Sequence, residues 1–177
     1  MNRESQETET ARTENHGQKH ADGGIPLAEL RDLYDEVGDL LDDDQMERLP
    51  DFFLDDCVYK IISKENFDEG LPHATVFCDG KGMLRDRIMA LRETQVFEPR
   101  ALRHFISGVR VLATDGGITH ARANVMITEC MADAEPRVLM VGRYLDQVQR
   151  EGDALKFKER LVVFDNYRVH RSLVVPV

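Results

Sequence analysis

The chain has no tryptophan and only three cysteines, Cys57, Cys78 and Cys130, among 177 residues. An odd number of thiols at wide spacings argues against a disulfide framework and fits a reducing compartment, so a cytoplasmic protein is expected. No apolar run approaches the roughly 20 residues of a membrane span. No charged start followed by an apolar block marks the N-terminus for export. Basic residues are the minority, with 23 Lys and Arg against 33 Asp and Glu and a formal net charge of −10. The basic stripe that a nucleic-acid binder needs is missing. So are a C-x-x-C pair, a clustered Ca²⁺-type acidic loop, a P-loop and a G-x-G-x-x-G. Ser63, Ser107 and Ser172 have no elbow sequence around them, which leaves no nucleophilic serine to argue for. His16 and His20 stand four apart, a metal spacing on a helix, but no helix is expected there. His73, Cys78 and Asp79 lie close in sequence without forming a recognised ligand pattern.

What is present is unevenly charged. Residues 26–56 hold twelve acids against Arg31 and Arg48, a net −10, whereas residues 57–177 carry eighteen basic and sixteen acidic side chains. The acidity therefore marks one helical face, and the remainder is near neutral. Residues 1–25 nearly lack aliphatics and cannot offset the entropy of ordering, so a disordered polar tail is expected there. Residues 26–177 are long enough for one domain with a core of useful size.

The stretch from Leu102 to Phe164 alternates like four successive strands. Phe105, Val109 and Val111 are expected on one face, then Ala121, Ala123, Val125 and Ile127. Leu139, Val141 and Leu145 share a parity, as do Leu155, Phe157, Leu161 and Val163. Turns are expected at Asp115-Gly116-Gly117, Ala132–Pro136 and Glu151-Gly152-Asp153, too short for parallel crossovers, so the strands should form an antiparallel meander. Upstream, Leu27, Leu30, Leu33, Tyr34, Val37, Leu40 and Leu41 repeat at three and four behind Pro26, predicting an amphipathic helix. Asp44 with Glu47 predicts a capping box for a short second helix that Pro50 bends, with Phe52 and Phe53 as anchors. Cys57–Ile62 reads as a strand, Glu65–Pro72 as a loop, and Thr75–Cys78 as a possible pairing partner for that strand. Lys81 to about Gln95 predicts a helix with Leu84, Ile88 and Leu91 inward, stopped by Pro99. The closing Leu173–Val177 is apolar enough to need a surface. Helices covering the greasy side of a curved, mainly antiparallel sheet describe a cone-shaped α+β domain.

Two uses of such a cone are open from the residues alone. Tyr59, His104 and Asp55 can be imagined converging inside the mouth as acid–base groups of a stand-alone dehydratase or isomerase. The cone can also bind a small ligand without catalysis. Alternatively, Arg85 and Arg87, flanking Asp86 on a helix, form with Arg103 and His104 a polar seam that registers one subunit on another. A guanidinium fork suits carboxylates across such a contact.

Several motifs narrow the choice. Pro50-Asp51-Phe52-Phe53, Glu65-Asn66-Phe67 with Gly70-Leu71-Pro72, Met83-x-Arg85-Asp86-Arg87, Pro99, Arg103-His104, Val141-Gly142-Arg143-Tyr144 and Pro176 occur in that order. Together they resemble the small (beta) subunit of ring-hydroxylating dioxygenases over residues 27–177, nearest the salicylate 5-hydroxylase and anthranilate dioxygenase type. The absence of Trp, with Met46 and Leu49 in its neighbourhood, departs from many of those subunits. The resemblance implies a nuclear-transport-factor-like cone serving as a noncatalytic scaffold in an α₃β₃ hexamer. It implies no cofactor in this chain. A Rieske [2Fe–2S] centre and mononuclear Fe(II) would sit in the alpha partner, supplied with electrons by a ferredoxin and a reductase.

Overall fold

Pro26 presets the chain for the helix that follows it, and the apolar spacing then winds residues Leu27–Asp42 into α1. Its buried stripe is Leu30, Leu33, Tyr34, Val37, Gly38, Leu40 and Leu41. The computed structural model describes residues 24–94, 100–166 and 176–177. A short 3-10 stretch, Met46–Phe52, leads into β1, Phe53–Ser63. Helix α2 (Lys64–Asp68), strand β2 (Val76–Asp79) and helix α3 (Lys81–Thr94) follow. Four long strands complete the chain: β3 Arg100–Asp115, β4 Ile118–Met131, β5 Ala134–Glu151 and β6 Ala154–Phe164. One open sheet in the order β2-β1-β6-β5-β4-β3 holds all six. The β1–β6 pair is parallel and the others are antiparallel.

The meander forms as its spacing predicts, but the face assignments hold in only one strand throughout. In β4, Ala121, Ala123, Val125 and Ile127 all enter the core. In β3 the register slips between Ser107 and Arg110, with Gly108 at φ +62°. One extra residue at a bulge reverses the parity of everything before it. Val109 and Val111 therefore face inward while Phe105 faces out, 54% exposed. The β4–β5 register slips beside Ile127 and Thr128, burying Leu139 and Met140 together and turning Val141 and Leu145 outward. In β6 the slip near Lys158 sends Leu155 and Phe157 inward, then Arg160, Val162 and Phe164. Leu161 and Val163 lie on the opposite face, with Val163 buried beside Ile62. The second turn region, expected over Ala132–Pro136, is shorter than expected, and Pro136 lies within β5.

Three smaller expectations also change. No capping box forms at Asp44 and Glu47; Gln45 precedes the 3-10 stretch, and both acids turn to Arg92 instead. The predicted loop from Glu65 begins as α2, because Ser63 Oγ accepts the Asn66 N–H at 3.3 Å. The expected tail lies outside the described residues up to position 23, but Ile25 packs into the core. Pro99 and residues 173–175 also lie outside the described residues.

Gly142, in the Val-Gly-Arg-Tyr motif, has a steric reason to be glycine. A Cβ there would stand 2.3 Å from the Val163 carbonyl oxygen. Close backbone approach between β5 and β6 thus depends on the missing side chain.

Candidate functional site

Acid–base candidates are placed on separate parts of the sheet. Tyr59 lies on β1, across from Cys78 and Arg160. Its hydroxyl donates to the Val177 carbonyl at 3.0 Å and accepts the Val177 N–H at 2.9 Å. Burial pushes this phenol up to about 12, so it keeps its proton at neutral pH. Asp55 on the same strand is exposed and paired with Lys81 at 2.9 Å. His104 belongs to β3, with β6, β5 and β4 between it and β1. Asp55 thus lies at the surface, and among the described residues no hydrogen bond joins Tyr59 to His104.

His104 instead meets Asp42, at the end of α1. The ring Nδ1 lies 2.7 Å from Oδ1, and the His104 backbone N–H donates to both carboxylate oxygens at 3.1 Å. Arg103 Nη1 lies 3.5 Å from Oδ2. Burial disfavours the charged form of Asp42, but the His104 and Arg103 bonds outweigh it and hold the carboxyl below its usual range. The ring of His104 is 1% exposed, and its Nε2 has no hydrogen-bond partner among the described residues.

The arginines near this corner follow one pattern. Arg103 meets Asp42, Arg92 on α3 meets Asp44 and Glu47, and Arg85 lies 3.8 Å from Asp51. Arg92 holds the Glu47 carboxyl below its usual range. The acidic stretch between α1 and β1 is thus clamped by guanidinium groups within the chain. Arg87 is half-buried on α3, with its charge near Cys78 and Tyr59. Arg85 and Arg103 stay at the surface, 56% and 61% exposed, where they remain available to a second chain.

Deeper inside is a polar cluster absent from the sequence reading. Asp146 and Arg160 sit opposite each other on β5 and β6. Arg160 Nε and Nη2 donate to Asp146 Oδ2 at 3.3 and 3.2 Å, with both side chains sealed from solvent. The guanidinium carbon stands 4.0 Å from the Phe157 ring centre, 4.4 Å from Tyr144 and 5.3 Å from Tyr34. Burial works against the charge of Arg160, but Asp146 beside it more than offsets this and raises its proton affinity. Burial raises Asp146 in turn, against the pull of Arg160. Tyr34 and Tyr144 are pushed far up, chiefly by burial. A second buried acid, Glu129, is held between Arg100 at 2.8 Å and Arg137 at 2.8 Å. The misjudged parity of β5 and β6 hid the first cluster, since Arg160 and Asp146 count as outward residues unless the bulge is known.

The donor set of the described residues does not fit an iron cluster or a mononuclear iron. Among the described residues, no group of three or more His, Cys, Asp and Glu could hold a metal ion. Burial raises the Cys57 and Cys78 thiols, and Asp42 occupies Nδ1 of His104. No described helix is long and apolar enough to cross a membrane.

With this geometry in view, comparison with known proteins is specific. A family model for the ring hydroxylating beta subunit matches residues 38–171. The anthranilate 1,2-dioxygenase small subunit of Burkholderia cepacia is 37% identical over 137 residues, covering 77% of this chain and 85% of that one. Terephthalate 1,2-dioxygenase terminal oxygenase subunit beta 2 of a Comamonas species is 33% identical over 77% of this chain and 89% of its own length. Among solved structures, a beta subunit assigned to an aromatic-ring-hydroxylating dioxygenase of Novosphingobium aromaticivorans superposes with a TM-score of 0.78 at 34% identity. That superposition covers 85% of this chain and 96% of the other.

Proposed function

The chain belongs to the beta subunits of ring-hydroxylating dioxygenases, and from that premise we propose that it is a noncatalytic scaffold for iron-bearing alpha subunits. The observation that carries the reading is the family match across residues 38–171, which takes in β1 to β6 together. The site geometry supports it. The hydroxyl of Tyr59 is closed off by Val177, and His104, on a strand separated from β1 by three others, is tied to α1 by Asp42. Neither arrangement builds a dehydratase centre.

The finer parts of the proposal follow from the same likeness. The two curated relatives act in dioxygenases of anthranilate and terephthalate, both aromatic carboxylic acids, so an aromatic acid is the proposed substrate class. The alpha partner would carry the Rieske [2Fe–2S] centre and the mononuclear Fe(II), in an α₃β₃ hexamer served by a ferredoxin and a reductase. The cytoplasm is the proposed location. Within that assembly, Arg85, Arg87 and Arg103 are proposed contacts between subunits, and His104 supports Arg103 from behind by seating Asp42. This chain's part is geometric, because an error of about 1 Å in placing reacting groups can be costly to rate. Expressed with its alpha partner, the chain should yield an active ring-hydroxylating complex, and expressed alone it should yield no hydroxylated product. Turnover by the purified chain without a partner would overturn the scaffold role.

A further inference from the structure

We propose that the outer face of β3, β4 and β5 is the surface that grips the alpha partner, and that the partner answers it with an apolar patch flanked on one side by carboxylates. This rests on the scaffold reading and adds where the contact lies and what chemistry recognises it. Strand register sets the surface. Phe105 pairs with Met126, and Met126 with Val141, which places three apolar side chains in one row across three strands. Phe105 is 54% exposed and Val141 42%. Beside this row, Arg110 and Arg122 stand directly opposite each other, both exposed. Like charges facing across a strand pair destabilise an isolated sheet. Arg143 shares the face through its pairing with Asn124, and its Nε is buried without a hydrogen-bond partner among the described residues.

The contrast with the rest of the chain is informative. Arg85, Arg92 and Arg103 each meet an acid of residues 42–51, and Arg160 and Arg137 meet buried carboxylates. For Arg110, Arg122 and Arg143, no described residue supplies an ion pair. Three such guanidinium groups along one flank of a greasy row suit a protein surface that sets carboxylates beside an apolar patch. A second copy of this chain does not supply one. Two of these faces meeting would set arginine against arginine. The acidic face of α1 offers Asp32, Asp35 and Asp39 but no exposed large apolar side chain among its described residues.

The test uses the complex of the full chain with its alpha partner. Hydroxyl-radical footprinting of the free chain and of the intact complex should show labelling of Phe105 and Met126 falling about fivefold or more on assembly, as expected for burial in an interface core. Arg110→Glu with Arg122→Glu should leave the free chain melting within a few degrees of the parent, while Kd for the partner rises at least about tenfold and its salt dependence flattens. If that pair of reversals does not fold, Arg122→Gln alone should relieve the like-charge contact. The free chain should then be as stable as the parent or more so, with binding weaker by about threefold or more. Failure of the parent chains to form any complex would remove the scaffold reading itself. A parent complex that leaves Phe105 and Met126 fully labelled, or variants that bind like the parent, would remove only this surface. Protection of the same residues in the free chain through self-association would overturn the choice of occupant.

Discussion

Asp42 seats a helix on a sheet with one carboxylate. It ends α1, where the helix dipole disfavours an acid and where no basic residue lies in the last turn. Compensation comes from β3, through the His104 backbone N–H, its ring and Arg103. Because the folded pKa of Asp42 is lowered, its stabilisation is complete above the unfolded value near 4 and is lost as pH falls through the folded value. Asp42→Asn should cost about 1–3 kcal/mol at pH 7 by leaving donors of β3 poorly matched. Urea midpoints measured from pH 7 down to pH 3 should also fall less steeply for the variant than for the parent. Equal slopes would deny Asp42 its role. Arg160 presents the opposite case, a charge with no access to water. Arg160→Met alone should lose about 3–5 kcal/mol, because Asp146 is left buried without its partner. Arg160→Met with Asp146→Leu should recover most of that loss in the same denaturation assay, and a double variant no better than the single would contradict pairing as the cause.

At the scale of elements, bulges decide which side chains the cone contains. Each slip in β3, β5 and β6 exchanges the two faces, and the outcome is a core containing Arg160 and Asp146 and an outer row containing Phe105 and Val141. Gly142 lets β5 and β6 close despite this irregularity. Gly142→Ala should cost about 1–3 kcal/mol or more, since a backbone carbonyl cannot move away as a side chain can. An unchanged melting temperature would show that the strands had room to spare. Element identities were legible in the sequence, because helical spacing in residues 27–41 and period-two alternation in β4 are local signals. Face assignments in β3, β5 and β6 were not. A bulge depends on the partner strand's register, and Gly108 in β3 resembles any other strand glycine until its φ is known. The arginine clamp on residues 42–51 was half legible. Arg85 and Arg103 stood out as candidates, but their acids lie 34 and 61 positions away, a pairing that no spacing rule reaches.

For the whole molecule, charge and shape describe something built to be held by another protein. Four of the five acids of residues 42–51 are matched internally, the outer sheet face keeps unpaired arginines, and the interior is filled around an ion pair and packed aromatic rings. Arg103 belongs to both descriptions, binding Asp42 while 61% exposed. Its loss costs the free chain little, about 0–1 kcal/mol for an exposed pair. Arg103→Ala should therefore leave the chain folded by circular dichroism and weaken its assembly with the alpha subunit in sedimentation analysis. Unaltered assembly would take Arg103 out of the contact. The most direct test of the scaffold role is native mass spectrometry with metal analysis of the co-purified complex, before and after the two chains are separated. The account predicts equal numbers of the two chains, with all the iron leaving in the larger one. Iron retained stoichiometrically by this chain would contradict it.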